Sequence, residues 1–184
     1  MQISGRHIIN SALLALAMLA PATAVAQVDE YGVKASFVRN FVAFVEWPTN
    51  RLESGSPLTI CVFNDSPITA RLLDLKIAPV RDHHVQVRAV SALPDLAACQ
   101  AVFIPSTESP HVADILSRYH NAGLLTITET PSTRTGAIIN MFVNQSRMAF
   151  DIDLEAGRAQ GIVVSSKLLS LAHTVHGSNR AGTD

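Results

Sequence analysis

Cysteine is scarce in this 184-residue chain, with two, as are tryptophan, with one, and aromatic residues as a whole, at 5%. Two cysteines exclude a disulfide-dense miniature fold, and a chain of this length can bury an adequate core without such staples. An excess of one charge sign is also missing: 14 Lys and Arg stand against 15 Asp and Glu, for a formal net charge of -1. That balance argues against a nucleic-acid binder, whose affinity rests on clustered Lys and Arg facing phosphates. G-x-S-x-G, P-loop, H-E-x-x-H and C-x-x-C motifs are all absent, and Ser165-Ser166-Lys167 lacks the spacing of S-x-x-K, so the sequence points to no catalytic residues. What is present is an apolar share of 48% against 16% charged, which fits one globular domain and excludes a mainly disordered chain.

Arg6 and His7 precede an apolar run from Ala12 to Ala20, then Pro21 and Ala24-Val25-Ala26. A charged start, a short apolar stretch and an A-x-A site read as a secretory signal peptide over residues 1–26, cut after Ala26. No cysteine follows the site, which disfavours a lipid anchor there. The run is too short for a bilayer of about 30 Å, and every later apolar stretch is interrupted before ~18 positions. The expectation is a soluble mature chain outside the cytoplasm, with a single domain over 27–176 and a disordered polar tail over 177–184.

Asp29 predicts the cap of a helix from Glu30 to Glu46, with Val33, Phe37, Phe41 and Phe44 at helical spacing and Val38, Val42 and Val45 widening the stripe. Trp47-Pro48 stops it. Leu58 to Asn64 is apolar on both faces, as a strand covered on each side would be. Ser66-Pro67 then opens a short helix to Leu75. Val85 to Val90 reads as a second strand and Ser91 to Ala98 as a short helix or turn. Ala101 to Pro105 is a third strand, Ser109-Pro110 opens a helix ended by Gly123, and Leu124 to Thr128 is a fourth strand. Such alternation predicts an α/β fold, mainly a parallel sheet with helices on both faces. After the loop Thr130 to Thr135, Ala137 to Val143 and Arg147 to Asp153 form an antiparallel hairpin through Asn144-Gln145-Ser146. Ser165-Ser166-Lys167 opens a closing helix to Val175.

Few groups suggest a site. His83-His84 reads as a pair of solvated loop histidines, because zinc-type ligand spacing is absent. Asp151, Asp153 and Glu155 share one strand face and read as charges that keep a sheet edge soluble. In an open parallel sheet ligands bind at the strands' carboxyl ends, here Asn64, Asp65, Ser106, Glu108 and Glu129. This set is acidic and lacks a glycine-rich turn, so it would repel a phosphate but leaves a crevice for a small polar ligand. Cys61 sits mid-strand and Cys99 just before the third strand; those two strands are neighbours in the common order, and an exported chain with two cysteines invites their pairing.

Val33 to Asn40, Phe41 to Pro48 and Pro57-Leu-Thr-Ile-Cys61-Val resemble the opening of YfiR-like periplasmic proteins. Cys99-Gln-Ala-Val-Phe-Ile, Leu125-Thr-Ile-Thr, Gly136 to Asn140, Arg147 to Asp153 and Gly161 to Leu169 continue the likeness in order. Asn64-Asp65-Ser66-Pro67 and Thr133-Arg134-Thr135 depart from it. The resemblance implies a non-catalytic α/β regulator that binds the periplasmic sensor part of an inner-membrane diguanylate cyclase and represses cyclic diguanylate synthesis. It also implies a homodimer, sequestration by an outer-membrane lipoprotein, and a strand-to-strand cysteine pair at Cys61 and Cys99. No cofactor or metal is expected. Arg39, Asn40 and Trp47 are the candidate partner surface. The alternative is a periplasmic small-molecule binding module that uses the strand-end crevice.

Overall fold

The computed structural model describes residues 29–64, 66–75, 77–130 and 135–177; the expected signal peptide and nearly all of the expected tail lie outside them. Helix α1 (Glu30–Ala43) starts where Asp29 accepts a hydrogen bond from the Gly32 N–H at 3.2 Å. Its inward arc is Lys34, Ala35, Val38, Phe41 and Val42, while Val33, expected in the stripe, is exposed. The helix also stops short of Glu46. Val45–Glu46 forms strand β1 and pairs antiparallel with β8 (Val163–Val164), so these two residues satisfy their backbone groups across the chain instead of along a helix.

The main sheet has seven strands: β2 (Leu58–Phe63), β3 (Val85–Val90), β4 (Ala101–Ile104), β5 (Leu125–Glu129), β6 (Ile139–Asn144), β7 (Arg147–Asp153) and β9 (Thr174–His176). They lie in the order β3-β2-β4-β5-β6-β7-β9, and only the β6–β7 pairing is antiparallel. Every residue of β2 is buried, as its unbroken apolar sequence requires of a strand with both faces covered. Leu58, Ile60 and Val62 meet the core formed with α1 and α2 (Pro67–Asp74). Cys61 and Phe63 point the other way, into a second core with Leu96, Tyr119 and Ile115 of α3 (Val112–Arg118). The α/β class with helices on both faces is therefore the observed architecture.

Connections inside that frame differ from expectation. Ser109-Pro110 does not open α3. Residues Ser106–His111 form a 3₁₀ turn that encloses Pro110, and the α-helix begins at Val112. Gly123, at φ 66°, lies beyond the helix end and turns the chain into β5. β5 and β6 pair in parallel, with Ile127 opposite Ile139. Asn140 holds this short crossover: its Oδ1 accepts from Thr128 Oγ1 at 3.0 Å, the Thr130 N–H at 3.2 Å and Thr130 Oγ1 at 2.8 Å. The β6–β7 hairpin turns through Gln145 and Ser146, both at positive φ, with Asn144 opposite Arg147.

The C-terminal segment departs furthest from expectation. Ser165 caps α5 as expected, but the helix is only Ser166–Leu169. The chain then returns to the sheet, where the His173 N–H donates to the Phe150 carbonyl at 2.8 Å and Thr174–His176 pairs with β7. The open side of β7 offered unpaired backbone groups, and pairing there displaced further helix. As a result β7 is not an edge, and the acids on its face do not protect one. Asp151 contacts His173 Nδ1 at 3.2 Å, while Asp153 caps α4 (Leu154–Ala159) by accepting from the Glu155 and Ala156 N–H groups.

Candidate functional site

Cys61 and Cys99 are disulfide-bonded, 38 positions apart in sequence, with Cα atoms separated by 5.9 Å. β2 and β4 are neighbours, and Cys99 ends the 3₁₀ turn Leu93–Ala98 that leads into β4. Both residues are fully buried, so dissolved thiols cannot reach the bond while this core is closed.

The candidate partner residues divide. Arg39 donates from Nε and Nη2 to Asn40 Oδ1 at 3.2 and 3.1 Å, and the pair lies on the outward side of α1. Trp47 turns inward instead: its indole Nε1 donates to the Gln100 carbonyl at 2.9 Å, and the ring packs against the main core. Of the strand-end residues, Asn64 has φ 59° and donates its N–H to the Val90 carbonyl at 2.7 Å, and Ser106 opens the 3₁₀ turn. Glu108 contacts His111 Nδ1 at 2.9 Å, and Glu129 is ion-paired with Lys34. Asp65 lies outside the described residues. Each acidic group of the described set is thus engaged with a separate basic partner within the fold.

His83 is a further correction. It is buried, with Nδ1 2.8 Å from the Ser56 carbonyl and Nε2 3.1 Å from Asp82, whereas His84 remains exposed. Asp82 itself accepts from Ser54 Oγ at 2.5 Å and from the Gly55 N–H at 2.9 Å, which holds its carboxyl below the usual range. Among the described residues, no group of three or more His, Cys, Asp or Glu side chains is arranged to hold a metal.

Three functional-looking residues were missed from sequence. Lys34 is buried in α1 and pairs with Glu30 and Glu129. Burial works to lower its pKa, but hydrogen bonds and charge from the two glutamates outweigh this and raise it. Its position did carry a signal, since it falls four residues before Val38 and seven before Phe41, on the same helical face. Gln100 accepts the Thr59 N–H on its side-chain oxygen at 2.8 Å while its carbonyl takes Trp47, and Arg51 donates to the Cys99 carbonyl. Neither carries a sequence signal, because both lie outside periodic segments.

Fold and site together define a helix-covered α/β protein with a buried cross-link between β2 and the turn that leads into β4. No helix among the described residues is long and apolar enough to cross a membrane. The chain belongs to the YfiR/HmsC-like family, which it matches over residues 31–173, a stretch containing both cysteines, Lys34 and Arg51. That family is one of periplasmic regulators associated with diguanylate cyclases. No curated protein matches the sequence. Among solved structures, the ABC domain in complex with L-Trp from Streptococcus pneumonia aligns at 13% identity and a TM-score of 0.44, covering 64% of this chain and 55% of that one. A conserved domain protein from Vibrio cholerae aligns at 11% identity and a TM-score of 0.49, covering 79% of this chain and 60% of that one. The chain thus spans little more than half the length of these structures.

Proposed function

We propose that the protein is a periplasmic, non-catalytic regulator that represses an inner-membrane diguanylate cyclase by binding its periplasmic sensor region. Repression of this kind requires tighter binding to the inactive conformation of the cyclase than to the active one. The expected consequence is lower cyclic diguanylate and less biofilm. The observation that carries the reading is the family match over residues 31–173. The partner surface proposed is the outward side of α1 at Arg39 and Asn40, which the core does not use; Trp47 is committed to Gln100 and is left out of it. Export by the segment 1–26, a homodimer, and release of repression by an outer-membrane lipoprotein complete the proposal.

The test is deletion of the gene followed by measurement of cellular cyclic diguanylate and biofilm. Both rise in the deletion and return to normal when the chain is supplied with its leader. Unchanged levels in a strain without a second repressor overturn the proposal. Arg39→Glu supplied in the same strain fails to restore repression while keeping the parent's thermal stability.

A further inference from the structure

Arg51 is a half-buried cation with no acidic partner among the described residues. It follows the turn at Pro48, whose carbonyl accepts the Arg51 N–H at 2.9 Å, and its stem runs beside Gly123, where a Cβ would meet Arg51 Cγ at 2.8 Å. Nη2 donates to the Cys99 carbonyl, whereas Nε is buried and finds no hydrogen-bond partner. The ion pairs of the described residues involve other side chains. Burial accordingly draws the guanidinium's pKa down, against a smaller opposing influence of Tyr119. Buried charges are ordinarily paired, and this one has no acidic partner among the described residues.

A second guanidinium lies close by. Arg88 pairs in register with Cys61 on the same face of the sheet, and its Nη2 reaches the Asp95 carbonyl at 3.3 Å and Cys99 Sγ at 3.8 Å. Arg51 and Arg88 both line a hollow of about 350 Å³ at the N-terminal ends of β2 and β3. Thr59, Gln86 and Gln100 form its wall. These are held in place because Gln86 Nε2 donates to Thr59 Oγ1 at 2.7 Å and Gln100 Oε1 accepts the Thr59 N–H at 2.8 Å. Glu53 is the one carboxylate in the lining, so positive charge predominates. The volume is that of a small-molecule site, and the walls are ordered before anything enters.

We propose that this hollow binds a small oxyanion, the carboxylate or phosphate group of a small molecule, held between Arg51 and Arg88. Guanidinium groups suit this ligand because their planar donors match two oxygens at once. The site stands apart from the strand-end crevice and does not depend on the cyclase reading. Because both arginines also touch Cys99, the bound anion would sit against one end of the disulfide.

Sodium succinate and inorganic phosphate, each compared with sodium chloride at equal ionic strength, serve as probes in thermal-shift titrations of the folded, oxidised protein. At least one raises the melting temperature saturably, and the better probe identifies the oxyanion class. Arg88→Gln, at an exposed position, keeps the melting temperature of the anion-free protein and weakens the midpoint about ten-fold or more, as loss of a charged hydrogen bond requires. Arg51→Lys weakens it as well. If Arg51→Lys fails to fold, Arg88→Gln alone decides. A response no greater than that to chloride, or one equal in the parent and Arg88→Gln, overturns the proposal.

Discussion

The ammonium of Lys34, on the inward side of α1, is ion-paired with the carboxylate of Glu129 at the end of β5, 95 positions away in sequence. This contact ties the first helix to the middle of the sheet. The two partners differ in exposure: the Lys34 side chain is 6% exposed and that of Glu129 22%. Removing Glu129 leaves the buried cation with the exposed Glu30 alone, whereas removing the cation leaves acids that water can reach. Glu129→Ala therefore costs about 2 kcal/mol of stability in urea unfolding, and Lys34→Met costs less than about 1 kcal/mol because an apolar chain of similar length fills the same space.

The same pair sets an alkaline limit. The pKa of Lys34 is raised above the ordinary lysine value of 10.5, so more protons are bound by the folded than by the unfolded form in that range. Its stabilisation is complete below about pH 10.5 and is lost as pH climbs through the raised folded value. Urea midpoints of the parent and Lys34→Met, measured at pH 9 and again above pH 11, converge at the higher pH. A constant gap counts against the pair.

For the disulfide, a closed loop of 38 positions corresponds in the chain-entropy model to about 4 kcal/mol. Cys61→Ala with Cys99→Ala lowers the urea midpoint of the oxidised protein accordingly. Because both sulfurs are fully buried, dithiothreitol reduces the parent slowly in native buffer and rapidly once denaturant opens the core, as mass-shift labelling of the freed thiols reports. Rapid labelling in native buffer contradicts the burial argument.

At the β6–β7 turn, Gln145 and Ser146 hold φ of 47° and 61°, where side chains other than glycine and asparagine are disfavoured. Replacing them with Asn-Gly raises stability by about 1 kcal/mol without altering the strand register. A higher urea midpoint together with unchanged amide exchange in β6 and β7 is the expected result.

Asp153 ends β7 and begins α4 in a single residue, accepting the N–H groups of Glu155 at 2.9 Å and Ala156 at 3.1 Å. Asp153→Ala costs about 1 kcal/mol, as loss of a helix N-cap does. Asp153→Asn, which keeps an accepting oxygen, costs less. Equal losses for the two variants count against a capping role.

Signals that span a few residues were legible before the structure. The apolar run Leu58 to Phe63 became the buried second strand, Asp29 caps the first helix, and Asn144 to Arg147 turns the hairpin, because strand burial, caps and turns depend on neighbours within about one turn or one pleat. The assignments that failed each involved a competing partner far along the chain. Val45 left its helix for Val164, and Thr174 and Val175 left theirs for the open side of β7. Trp47 turned from a surface candidate to an anchor on Gln100, and His83 was drawn under the loop at Ser56.

Composition and local pattern by themselves determined the α/β class, the parallel core, the hairpin and the neighbouring strands in or beside which the two cysteines lie. Only the tertiary structure decided which charges are neutralised and which are not. Lys34 has its glutamates and Arg51 has none among the described residues, because a charge is satisfied by whatever group the fold brings within a few ångströms, and that distance is independent of separation along the chain.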